Sequence, residues 1–172
     1  TSGNVSGAPI VADERVAVET LAGIADLFLV HDRPILRPVD DSVMRMIAGQ
    51  PTVMRLARGL APLQLPAAPE RSLVAVGGHQ KSAIAVASGH RLLLGPHIAD
   101  LGSPESRDAF ARMIEGLGAL CGAHAPAMAC DAHPDYFSTR FVLSHETDAT
   151  RVPHHLAHVL AGMIDDGLDA PV

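Results

Sequence analysis

Tryptophan is absent, and one tyrosine and four phenylalanines are the only aromatic residues among 172. With hydrophobic residues at 48% of the chain, a core must therefore be built from Val, Leu, Ile, Ala and Met. Cysteine is nearly as scarce. Cys121 and Cys130 are too few for a disulfide framework or a four-cysteine zinc site, and their apolar flanks predict buried, reduced thiols. Only one of the 13 cationic residues is lysine, Lys81, and no basic cluster offsets a net charge of −6. That balance argues against electrostatic capture of nucleic acid. No apolar run approaches the roughly 18 residues of a membrane span, and no basic segment leads into an apolar stretch. A cytoplasmic protein is expected. An initial Met is also missing, so Thr1 is read as a cut within a longer chain.

What is present has the composition of a globular chain, with histidine as its most informative residue. Six of the ten histidines fall between His124 and His158. Val11 to Ala25 has the apolar spacing of a short amphipathic helix, and Leu27 to Val30 reads as a buried strand. Val43–Ile47 and Thr52–Leu56 predict two strands turning through Gly49-Gln50-Pro51, with Arg45 and Arg55 as the polar positions of an alternating pattern. Pro62, Pro66 and Pro69 then mark a linker, because each proline removes a backbone donor and favours extended chain. Beyond it, Leu73–Val76, Ala83–Ala87 and Arg91–Leu94 predict three strands, with turns at Gly77-Gly78 and Ser88-Gly89. Pro104 opens a helix to about Leu120, Ala127–Cys130 forms another strand, and a last helix starts near Pro153. Three meandering strands, a helix and a further strand describe the beginning of a layered α/β domain.

Four segments carry chemistry. The opening Thr-Ser-Gly-Asn-Val-Ser-Gly can aim hydroxyls, an amide and backbone N–H groups at an anion, although such residues also make ordinary turns. Arg33, Arg37 and Ser42 lie in a charged turn that either grips phosphate or pairs with Asp32, Asp40 and Asp41 on a solvated face. Gly77-Gly78-His79-Gln80-Lys81-Ser82 puts a glycine pair and the single lysine between two strands, suited either to a phosphate or to solvent. In Pro153-His154-His155-Leu156-Ala157-His158 the outer histidines are four apart, so on a helix both imidazoles share one face. That pair can chelate a transition metal or simply form a polar face, and a metal would require a further ligand.

The opening heptad resembles the T-S-A-N-x-S-G segment of YrdC-like domains, with Gly3 in place of the usual Ala. His31-Asp32-Arg33-Pro34-Ile35 and Asp40-Asp41-Ser42-Val43 resemble the end of that domain in the HypF family of carbamoyltransferases. The resemblance continues past the linker through Gly77–Ser82, Gly95-Pro96-His97-Ile98-Ala99-Asp100-Leu101, Cys130–Thr139 and the histidine cluster. It implies an α/β chain: the C-terminal part of a YrdC-like domain (residues 1–60), a linker (61–71), and the N-terminal half of an actin-like domain (72–172). By resemblance the YrdC-like part forms a carbamoyl-adenylate from ATP and carbamoyl phosphate. The second part passes the carbamoyl group to a C-terminal cysteine of a HypE-like hydrogenase-maturation partner. Carried over position by position, Ser2, Asn4, Arg37, Ser42, Lys81 and Ser82 are the nucleotide candidates. His154 and His158 would hold iron or zinc, completed in the family by a later Asp beyond Val172. His133 is the catalytic candidate, with Tyr136 beside it as a packing residue. Neither nucleic acid nor membrane is an expected partner. O-carbamoyl transfer to a small natural product, or a non-catalytic metal- or nucleotide-binding module, are the alternative readings.

Overall fold

Asp13 ends an extended entry and starts α1 (Glu14–Leu21), its carboxylate accepting the N–H groups of Arg15 and Val16 at 2.9 and 3.0 Å. The structure, a computed structural model, describes residues 3–5, 8–35, 37–66, 70–124, 126–146 and 148–168. The helix is shorter than its apolar pattern predicts. The expected buried strand at 27–30 does not form. Leu27 and Leu29 are 91% and 102% exposed, and the segment pairs with no strand among the described residues. Apolar composition supplies the tendency to bury but not the partner, and a lone strand leaves its backbone groups unmatched.

β1 (Val43–Ile47) and β2 (Gln50–Arg55) form an antiparallel hairpin. Its turn is Ala48-Gly49, one step earlier than expected, with φ of 49° and 79°. Two positive φ values are the signature of the turn whose twist matches a hairpin. Gln50 and Pro51 consequently belong to β2, where Pro51 is tolerated because both strands are edges. Neither face of this two-stranded sheet is buried, so the alternation read in its sequence has no core to serve.

The rest is organised by a six-stranded sheet in the order β3-β6-β5-β4-β7-β8. β3 (Leu63–Leu65) lies inside the proline-rich segment and pairs antiparallel with β6 (Arg91–Leu94). β4 (Leu73–Ala75), β5 (Ala85–Ser88) and β6 make the expected meander, closed at Gly89 with φ of 60°. α2 (Pro104–Cys121) then crosses the sheet. It has Pro104 in its first turn, Ser103 capping its start, and Gly122 in the left-handed conformation at its end. The crossover returns the chain as β7 (Ala127–Asp131), parallel to β4. A second crossover through α3 (Phe137–His145) leads to β8 (Thr150–Val152), parallel to β7, and then to α4 (His154–Asp165).

The core is aliphatic around one aromatic cluster. Val74, Val76, Ile84, Val86, Leu101 and Val142 are fully enclosed with Phe110, whose ring meets Phe137 and Phe141 edge-on at 5.9 and 5.3 Å. Cys121 and Cys130 are free and buried, as expected, and burial raises the Cys130 thiol pKa.

Candidate functional site

Three neighbouring parallel strands, β4, β7 and β8, end at one rim of the sheet, and each delivers a feature of the site. From β4 the antiparallel meander runs one way across the sheet and the two parallel additions run the other. After β4 comes Gly77-Gly78. Gly77 has φ of 36°, and a Cβ there would lie 2.9 Å from the Ala83 carbonyl oxygen. Only glycine fits that approach. At the end of β7 stands Asp131, and after β8 Pro153 leads into α4 with His154 first and His158 one turn on.

These pieces touch. A Cβ on Gly78 would lie 3.6 Å from the His154 ring and 3.9 Å from Tyr136. His154 Nδ1 lies 2.6 Å from Asp131 Oδ2, and Asp131 Oδ1 accepts the His133 N–H at 2.8 Å. The Nε2 atoms of His154 and His158 face each other at 3.1 Å. His133 stacks on Tyr136 at 4.3 Å, and Tyr136 stands edge-on to His154 at 6.3 Å. His133 is thus one ring removed from His154, and its Nδ1 accepts the Asp135 N–H. His79, from the glycine turn, accepts the Phe137 N–H at the start of α3 and so ties the turn to that helix.

The histidine pair fits a metal as far as two donors can. Ligand nitrogens about 2.0–2.1 Å from one ion lie roughly 3 Å apart, as these do. Among the described residues no third His, Cys, Asp or Glu joins them.

The nucleotide candidates fall into three groups. Lys81 is exposed, in the left-handed conformation (φ 49°), with its N–H held by Asp100 at 2.7 Å and its side chain outward. Ser82, next to it, is 1% exposed, and its hydroxyl has no partner among the described residues. Asn4 spends its amide on the Val5 and Ala8 carbonyls, and Ser42 bridges the Arg58 carbonyl and the Ala57 N–H. Arg37 is exposed and makes no ion pair among the described residues; Asp40 and Asp41 pair with Arg55 and Arg58 instead. Ser2 lies outside the described residues. No hydrogen bond joins Asn4, Arg37 and Ser42 among the described residues.

Asp131, Gly78 and His79 lie inside the segments quoted from the sequence but were not among the candidate site residues. The available signal was position: an acidic residue ending an apolar strand, and a glycine turn a few residues after the end of another.

A meander with two parallel additions, and a site where the parallel strands end, define an actin-like half-domain following a YrdC-like segment. The comparisons agree. Residues 68–165 match the family model described as the HypF Kae1-like domain, and residues 1–57 match the Sua5/YciO/YrdC model described as telomere recombination. The chain belongs to the HypF family. It is 41% identical to carbamoyltransferase HypF of Synechocystis over 98% of its length, and 39% identical to that of Rhizobium leguminosarum over 100%. It spans 22% and 23% of those two proteins. A crystal structure of full-length HypF in the phosphate- and nucleotide-bound form superposes with a TM-score of 0.87 at 35% identity, covering 100% of this chain and 28% of that one. HypF of T. kodakarensis gives 0.85 at 31%, covering 98% of this chain and 23% of that one.

Proposed function

We propose that this chain is the middle of a carbamoyltransferase of NiFe-hydrogenase maturation. The whole protein would form a carbamoyl-adenylate from carbamoyl phosphate and ATP and transfer the carbamoyl group to a C-terminal cysteine of a partner protein. The observation that carries the reading is the pair of facing Nε2 atoms on His154 and His158, set against the Gly77–Ser82 turn. The names of the relatives support carbamoyl transfer, and the nucleotide-bound relative supports ATP.

His154 and His158 would hold a divalent iron or zinc ion with a ligand from elsewhere in the protein. When bound, the ion supplies a Lewis acid that polarises the carbamoyl oxygen. The chain's own residues do the rest. The glycine turn, free of side chains, lets a phosphorylated ligand approach the histidines closely. Lys81, solvent-facing on that turn, offers a point charge to phosphate. The Ser82 hydroxyl, without a partner among the described residues, is a donor that an oxygen-rich ligand would satisfy once the turn yields. On the YrdC-like side Ser2, Asn4, Arg37 and Ser42 remain the nucleotide residues. His133, stacked beside the site with Nδ1 occupied, would carry a proton on Nε2. A cytoplasmic setting suits the two free thiols.

The test uses the intact protein. Carbamoyl-phosphate-dependent release of pyrophosphate from ATP is expected, and His154→Ala is expected to abolish carbamoyl delivery to a partner thiol while sparing pyrophosphate release. Absence of both activities in the metal-loaded wild type would reject the reading.

A further inference from the structure

Asp131 is the most enclosed acidic group at the site, with 6% of its side chain exposed, and both of its oxygens are committed. Oδ1 takes the backbone N–H of His133, which fixes the carboxylate's rotation, and Oδ2 meets His154 Nδ1. Its strand end is fixed as well. The Asp131 carbonyl accepts the Thr139 hydroxyl at 2.9 Å, and the next N–H, of Ala132, goes to Val152 of β8. The carboxylate therefore stands behind His154, on the far side of the ring from His158.

An ionised carboxylate only accepts hydrogen bonds, so the ring nitrogen facing it must carry the proton. A neutral His154 with Nδ1–H has its lone pair on Nε2, which points at His158. With nothing between the rings, His158 must donate Nε2–H across the 3.1 Å gap. With a cation between them, both Nε2 atoms must offer lone pairs, and the His158 proton moves to Nδ1. No described residue bonds His158 Nδ1, so that ring is free to change tautomer, whereas His154 is not.

We propose that Asp131 is a positioning residue for metal capture. It locks His154 in the Nε2-donor tautomer and orientation, leaving His158 as the adjustable half of the pair. The proposal rests on the metal reading of the histidines given above. A carboxylate behind a ligating histidine typically contributes 10–100-fold to metal affinity, by fixing the ring and raising its basicity.

The test is Co²⁺ titration of the intact protein, followed by visible absorption and by competition with a chromophoric chelator. Wild type is expected to bind Co²⁺ at a site that His154→Ala and His158→Ala both eliminate. Asp131→Asn is expected to weaken that site by about 10–100-fold. Thr139→Val, which loosens the same strand end without touching the carboxylate, is expected to stay within about threefold of wild type, as a purely structural effect would not. Asp131→Asn binding within threefold of wild type would overturn the proposal while the metal pair stands. Co²⁺ binding indifferent to both histidine variants would overturn the metal reading itself. Independently of any variant's folding, ¹⁵N spectra of the metal-free wild type should show His154 protonated at Nδ1; protonation at Nε2 would refute the lock.

Discussion

Two adjacent glycines at the candidate site have different reasons to be glycine. Gly77 combines φ of 36° with a carbonyl oxygen 2.9 Å from where a Cβ would sit, so both conformation and space exclude a side chain. Gly78 has ordinary van der Waals room, its nearest neighbour being the His154 ring at 3.6 Å. Gly77→Ala is accordingly expected to cost about 1–3 kcal/mol in urea denaturation, and Gly78→Ala no more than about 0.5 kcal/mol. Equal costs would show that the turn tolerates both. The pair was visible in the sequence as a turn. Which glycine was indispensable was not, because the decisive oxygen belongs to Ala83, across the turn.

Among elements, those with several reinforcing local signals were legible. α2 has a serine cap, an early proline and a terminal left-handed glycine, and its start at Pro104 matched expectation. α3, β3 and β8 were not foreseen. β3 and β8 are three residues long and exist by pairing with β6 and β7, while α3 has no side-chain cap. The β1–β2 turn moved by one residue because the hairpin twist selects two positive φ values, and Ala48 occupies one of them. Alanine is strained there and asparagine is not. Ala48→Asn is expected to stabilise the hairpin by about 0.5–1 kcal/mol, read as a higher denaturation midpoint. An unchanged or lower midpoint would show that the turn does not limit this element.

For the molecule as a whole, the informative residue is His97, where the two halves of the chain meet. Its N–H donates to the Leu56 carbonyl at 2.7 Å. Its side-chain pKa is lowered chiefly by burial and next by Arg55, against the opposing charges of Asp40 and Asp100. A lowered histidine pKa means that the unfolded chain takes up the proton first. Stability is then complete above the ordinary value near 6.5 and declines as pH falls below it towards the folded pKa. His97→Gln should flatten that acid limb in denaturation profiles taken between pH 7 and pH 5; an identical slope would remove His97 as its source. Elsewhere the molecule has apolar surface that the described residues do not cover. Every residue of α4 except Met163 is exposed, as are Leu27, Leu29 and most of the β1–β2 hairpin. The buried core lies between α2, α3 and the central strands.

The sequence by itself determined the order of motifs, the aliphatic character of the core, and the projection of His154 and His158 from one helical face. Those follow from composition and from spacings of a few residues, where helix and strand periodicity rule. Tertiary structure decided that Asp131 stands behind His154, that Gly78 abuts its ring, and that the segment at 27–30 pairs with no strand among the described residues. These outcomes depend on which strands become neighbours. Parallel pairing of β7 with both β4 and β8 is a long-range choice, made by burial of the whole sheet.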